Sequence, residues 1–186
     1  MQLKFVFIVL CFALALGSYF FCKSKRDWAF LSLGMLFTVI ADFFLVMQNN
    51  HLPGVATFCF AHIFYIIRGG QFATPKWKRT IYVMLPLAVV AIAAFAWASV
   101  LLAVAGLYAL LFISNIIINT KFCKVNRHLM LSGLILFALC DVNVLLFNIP
   151  QHFDTVIDFS WAFVFIWVFY VPSQLLIAVS GVKFRN

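Results

Sequence analysis

The chain is a succession of long apolar runs separated by short polar breaks. Runs at about 3–21, 28–47, 54–68, 80–98, 99–119, 129–147 and 155–180 are nearly free of charge. A hydrocarbon core about 30 Å thick takes roughly 20 helical residues to cross, so each run predicts one transmembrane helix. The pattern therefore predicts an all-α fold: one polytopic membrane helical bundle of about seven transmembrane helices occupying residues 1–186. One junction is weakly marked. The apolar stretch from Ile81 to Ile118 is 38 residues long, with only Ala98 and Ser99 to suggest a turn. A single helix of that length would be far longer than the core is thick, so two spans joined by a tight turn is the reading.

Composition agrees. With 66% hydrophobic and 10% charged residues and a mean hydropathy of +1.11, the chain is far more apolar than a soluble domain. A length of 186 residues leaves room for one bundle and no separate soluble domain.

The net charge of +8 matters less than its placement. Lys23, Lys25 and Arg26 follow the first run; Arg68, Lys76, Lys78 and Arg79 the third; Lys121, Lys124 and Arg127 the fifth; Lys183 and Arg185 the seventh. The alternate breaks, Gln48 to Pro53, the turn near Ser99, and Asn148 to Asp154, carry no Lys or Arg. Every Lys and Arg except Lys4 thus falls on one face, which the positive-inside rule makes cytoplasmic. The expectation is an outside N-terminus and a cytoplasmic C-terminus in the cell membrane. A basic face toward anionic membrane lipid explains the charge without a nucleic-acid partner. Lys4, the apolar run to Leu14 and the small residues Ala15 and Gly17 also fit a cleaved signal peptide. Cleavage there would invert every later span, so the first run is read as a retained helix.

An internal repeat stands out. Gly34-x7-Asp42 on the second run matches Gly133-x7-Asp141 on the sixth, and each is followed by a returning run with a Phe-Tyr pair, Phe64-Tyr65 and Phe169-Tyr170. The second and third runs read as a parallel copy of the sixth and seventh, and polar sites of membrane bundles often lie between such repeats.

Asp42, Asp141 and His62 are ionisable groups inside membrane-spanning runs, which makes them functional candidates. At 1.5 Å per residue, Asp42 lies about 21 Å and Asp141 about 18 Å above the basic ends of their runs, and His62 about 12 Å below the opposite end of its own. The three share one layer, so they are expected to meet. Tyr65 is one turn below His62, and Tyr170 and Gln174 share a face of the last run, extending a polar funnel toward the basic end. A carboxyl in a dry bundle favours its neutral form. One Asp then serves as general acid while the other, ionised, orients a water as general base. The bland reading is an Asp–Tyr or Asp–His hydrogen bond that only joins helices.

Two aspartates and one histidine form a minimal zinc set, but no helical His pair supports it, and His51, His128 and His152 lie at run ends; no metal and no cofactor are expected. Cys11, Cys22, Cys59, Cys123 and Cys140 show no paired spacing and are read as buried hydrophobes. Asn115, Asn119 and Asn143 are read as inter-helix hydrogen-bonding groups, and Pro172 as a kink beside Gln174.

These residues resemble a known family. Leu36-Phe37-x4-Asp42, then Phe60-Ala61-His62-Ile63-Phe64-Tyr65, then Asp141, then Tyr170-x3-Gln174-Leu-Leu-Ile177 are similar to the lysoplasmalogenase-like, or YhhN-type, membrane proteins, from about Trp28 to the C-terminus. The chain differs from that pattern at Ala41 and Cys140, where the family commonly has Gly and Ser, and in lacking a Lys-Pro-bearing span before the first Asp. The resemblance implies a hydrolase that cleaves the vinyl-ether bond of a lysophospholipid substrate. Asp42, Asp141 and His62 would be catalytic, with Tyr65, Tyr170 and Gln174 binding substrate. Two other classes remain open from the sequence: a small-solute transporter with parallel helical repeats, and a non-catalytic lipid-binding bundle. Oligomeric state is not legible.

Overall fold

In a computed structural model, residues 2–22, 24–71, 73–74, 99–152 and 159–182 are described. The predicted span at 80–98 lies outside the described residues, as do Lys23, Lys76, Lys78, Arg79, Lys183 and Arg185. The described residues form α-helices α1 (Gln2–Gly17), α2 (Lys25–Asp42), α3 (His51–Gly70), α4 (Val100–Phe122), α5 (Arg127–His152) and α6 (Ala162–Val179). A 3-10 turn, Ser18–Phe21, finishes α1, and a π-helical turn, Phe43–Met47, finishes α2. All but α1 are long and apolar enough to cross a membrane.

Helix ends depart from the hydropathy boundaries for local reasons. α2, α3 and α5 each begin two or three residues earlier than the apolar runs, because Lys25, Arg26, His51, Arg127 and His128 continue the backbone ladder while their side chains stay exposed. α6 begins later than predicted. Phe159 to Trp161 form a turn, with Ala162 N donating to Phe159 O at 2.9 Å, and nothing in their apolarity marks it. A helix does begin just after Ser99, as the weak break there suggested: Ser99 is extended and its hydroxyl accepts from Leu102 N at the start of α4, while the residues before it lie outside those described. The breaks after α2 and α4 each place an asparagine in the left-handed region, Asn49 at φ 51° and Asn126 at φ 44°, a conformation that asparagine tolerates better than most residues.

The helices close a ring in which each packs on its neighbour in sequence and α1 meets α6. Its interior is lined by Ile8, Cys11, Leu31, Met35, Met130 and Leu134 among others. α3 and α4 run parallel: Phe58 packs on Tyr108, His62 bonds Asn115, and Tyr65 O takes a bond from Asn119. The chain between Gly70 and Val100 therefore leaves from one end of the bundle and rejoins at the other. The ends near the basic breaks gather together, through the bridge between Cys22 and Val182 and through the Asn126 amide, which donates to Ser180 O and Val182 O.

At that end lies a correction to the sequence reading. Arg68 is not a solvated member of the basic face. It is fully buried (0% exposed), donating from Nε and Nη2 to the two carboxylate oxygens of Asp27 at 3.0 and 2.9 Å, from Nη1 to Ser180 Oγ at 2.7 Å and from Nη2 to Ser180 O at 3.1 Å. This joins α2, α3 and the end of α6. A guanidinium at the last turn of a helix has to turn only a few ångströms inward to trade water for such partners.

The two repeat glycines do equivalent work. A Cβ on Gly34 would lie 2.2 Å from the Tyr65 ring, and one on Gly133 would lie 2.7 Å from Ile177 and 2.9 Å from Ser173 O. In each copy the glycine lets the first helix of the pair approach the second. The Phe-Tyr pairs do not share this equivalence, since Tyr65 fills the gap at Gly34 whereas Tyr170 serves elsewhere. Gly34→Ala is expected to lower stability by about 1–3 kcal/mol through overpacking. Gly106→Ala, with nothing among the described residues within 4 Å of the added Cβ, should melt like the parent. Thermal unfolding in detergent checks both.

Candidate functional site

Asp42 ends the regular part of α2, facing inward and only 5% exposed. The hydroxyl of Tyr170 on α6 donates to its Oδ2. Asp141 on α5 is only partly buried and receives the hydroxyl of Tyr108 on α4 at 2.5 Å. Each carboxyl thus has a tyrosine from another helix as its partner.

Between them is an aromatic layer. Tyr170 meets Phe137 at 5.7 Å between ring centroids, Phe137 meets His62 at 5.9 Å, and His62 meets Tyr108 at 5.1 Å and Phe112 at 4.7 Å. His62, completely buried, pairs through Nδ1 with the Asn115 amide at 3.0 Å, and its Nε2 has no hydrogen-bond partner among the described residues. Asp42, Asp141 and His62 thus occupy the expected layer, joined through tyrosine and phenylalanine rather than by hydrogen bonds to one another. Among the described residues no group of three His, Cys, Asp or Glu side chains is placed to hold a metal ion.

Tyr65 and Gln174 lie toward the basic end. The Tyr65 hydroxyl pairs with Thr38 Oγ1 at 3.4 Å, one turn below Asp42 on α2. Gln174, fully buried, donates from Nε2 to Ser173 Oγ at 3.4 Å, and its Oε1 has no partner among the described residues. Asn115 and Asn119 join α3 to α4, as read from the sequence, whereas Asn143 only bonds back to Leu139 O within α5. Pro172 sits inside α6, where the Ser173 hydroxyl bonds back to Tyr170 O at 2.7 Å.

Tyr108 was missed from the sequence. The signal was available: in a tight antiparallel hairpin, residues equidistant from the turn share a depth, and Tyr108 and Asp141 are equidistant from the break at 123–126. Asp27 was missed for another reason, since a lone acid among Lys25 and Arg26 reads as an interface residue.

The arrangement can hold one proton on either carboxyl while its tyrosine fixes the carboxyl's orientation. Tyr170→Phe removes the hydroxyl from a buried carboxyl and is expected to cost about 1–3 kcal/mol of stability, read from the melting temperature.

A family model described as the YhhN family matches residues 1–181. The match takes in the first helix, which the resemblance read from Trp28 onward had left out. No curated protein and no solved structure matches the chain.

Proposed function

The chain belongs to the YhhN family, the family of lysoplasmalogenases, and from that membership we propose that it is a multi-pass membrane hydrolase of lysophospholipid vinyl-ether bonds. The observation that carries the reading is the pair of inward carboxyls, Asp42 and Asp141, each held by a tyrosine across one aromatic layer. Acid-catalysed hydrolysis of an enol ether needs two such groups in a site poor in water.

The steps balance without a cofactor. A neutral carboxyl gives its proton to the outer carbon of the vinyl ether, leaving an oxocarbenium ion that the second, ionised carboxylate stabilises. Water adds to that ion and its proton passes to the second carboxylate. The hemiacetal then collapses: the second carboxyl protonates the glyceryl oxygen and the first takes the hydroxyl proton. A fatty aldehyde and a glycerophospho-headgroup leave, and both carboxyls return to their starting states. His62 orients the water, and Tyr65, Tyr170 and Gln174 bind the substrate.

Depth supports the same substrate. Asp42 lies 15 residues above Asp27, about 22 Å along α2, and so within about 8 Å of the far boundary of the core. The vinyl-ether bond of a lysolipid lies just beneath its headgroup, so a lipid entering from that face brings the bond to the carboxyl layer. We read that face as the outer one, with seven spans, an outside N-terminus and the basic end in the cytoplasm of the cell. The parallel run of α3 and α4 and the gathering of the described basic breaks at one end support this.

The test is mass spectrometry of purified protein incubated in detergent with lysophospholipids that include lysoplasmalogens. Release of fatty aldehyde from the vinyl-ether lipids alone is the expected result. Consumption of none of them, with solute flux in sealed vesicles, would replace the reading with transport.

A further inference from the structure

The hydrogen-bond chain behind His62 determines which of its ring nitrogens carries the proton. Asn119 Nδ2 faces three oxygens: Asn115 Oδ1 at 2.6 Å, Asn115 O at 3.0 Å and Tyr65 O at 3.4 Å. Two of these are backbone carbonyls, which only accept, so the amide group there must be the NH2. Its own oxygen turns instead toward Gly69, where a Cβ would meet it at 2.9 Å. Turning the amide over would set oxygen against oxygen at all three contacts.

The consequence passes along the chain. Because Asn119 donates to it at 2.6 Å, the Asn115 atom facing Asn119 must be oxygen. The other end of Asn115 is then its NH2, which lies 3.0 Å from His62 Nδ1. An NH2 cannot accept, so Nδ1 must be the acceptor. An imidazolium would point N–H at N–H there, which excludes it. His62 is therefore neutral, with its proton on Nε2.

That Nε2–H is buried without a partner among the described residues, amid the rings of Phe112, Tyr108 and Phe137. An unmatched buried donor is destabilising, a cost recovered when an oxygen arrives opposite it. We propose that Asn119 and Asn115 fix His62 as the Nε2–H tautomer, and that His62 is a neutral hydrogen-bond donor to an oxygen bound between Asp42 and Asp141, not a base. In the hydrolysis proposed above, on which the identity of that oxygen rests, it is the oxygen of the attacking water, which becomes the hemiacetal hydroxyl. His62 moves no proton; it orients the oxygen whose proton a carboxylate removes. Asn115 and Asn119 are positioning residues.

The experiment is two-bond proton–nitrogen correlation NMR of ¹⁵N-histidine-labelled protein in detergent, with the His62 signals identified by their loss in His62→Gln. The parent should show His62 neutral with the proton on Nε2. Asn115→Asp keeps an oxygen toward Asn119 but offers an acceptor to Nδ1, so it should move the proton to Nδ1. A parent signal with the proton on Nδ1, or on both nitrogens, would overturn the inference, whether or not Asn115→Asp folds. In turnover, His62→Gln keeps an amide donor and should exceed His62→Leu by about tenfold; equal loss in the two would overturn the donor role. The tautomer is read without substrate, so failure to hydrolyse any lipid counts against the proposed function and leaves the proton assignment standing.

Discussion

Asp42→Asn will cut aldehyde release by about 10²–10⁴-fold, the share that a positioned general acid or base contributes. Asparagine is the same size and its Oδ1 can still accept the Tyr170 hydroxyl, so the helices should pack as before and the melting temperature should hold. What it cannot do is give up and regain a proton at carbon and oxygen. Asp141→Asn should fall as far, because the two carboxyls exchange acid and base roles within one turnover. Groups that act as a unit are not additive, so the double variant should be little worse than either single one. Rates of aldehyde formation for the three proteins, normalised to folded material, decide it. An active double variant would end the carboxyl mechanism outright.

Arg68→Met will destabilise the protein by about 3–5 kcal/mol, since it leaves Asp27 as a buried charge without a partner. Asp27→Asn should do comparable harm by leaving the guanidinium without a counter-charge: the amide oxygen can still accept from one Arg68 N–H, beside the bonds to Ser180 and the Met130 sulfur. Removing both charges is a different matter. Arg68→Met with Asp27→Leu fills the space with apolar atoms and should recover most of the loss, because burying an ion pair costs desolvation that its mutual attraction only partly returns. Unfolding in increasing denaturing detergent, followed by circular dichroism, measures all three. Single variants as stable as the parent would show that water reaches the pair.

What the sequence made legible follows from how each signal arises. Spans are read from bulk apolarity, and each predicted run within the described residues is a helix. Asp42, Asp141 and His62 announce themselves because charge is rare at that depth, and their common layer follows from counting residues at a fixed rise. Family membership was legible from the His62 and Tyr65 element, although the match extends further toward the N-terminus than those motifs indicated. Rotation of a helix about its own axis was not legible. It decides that Tyr170 turns to Asp42 instead of Asp141, and that Arg68 turns in to Asp27 while Arg26 and Arg127 turn out. In a chain with 24 phenylalanines no face is markedly more apolar than another, so hydrophobic periodicity carries little of that information. The start of α6 was obscured similarly, since Phe159 and Trp161 look the same to a hydropathy count inside a helix or in a turn.

The wide turn just beyond Asp42 has a genetic corollary. There Gln48 N reaches back to Phe43 O at 3.2 Å and Asn50 N to Phe44 O at 2.9 Å, so the chain holds one residue more than an α-helix of that length would. An in-frame loss of one codon between Phe43 and Met47 can heal the helix to ordinary pitch without touching Asp42, Tyr170 or any residue of the aromatic layer. Homologues one residue shorter at this point, with an uninterrupted second helix and the same carboxyl, would then be natural variants that carry the ancestral or the repaired register. Gaps of a single position in this segment should accordingly be far better tolerated than gaps anywhere between Gly34 and Asp42.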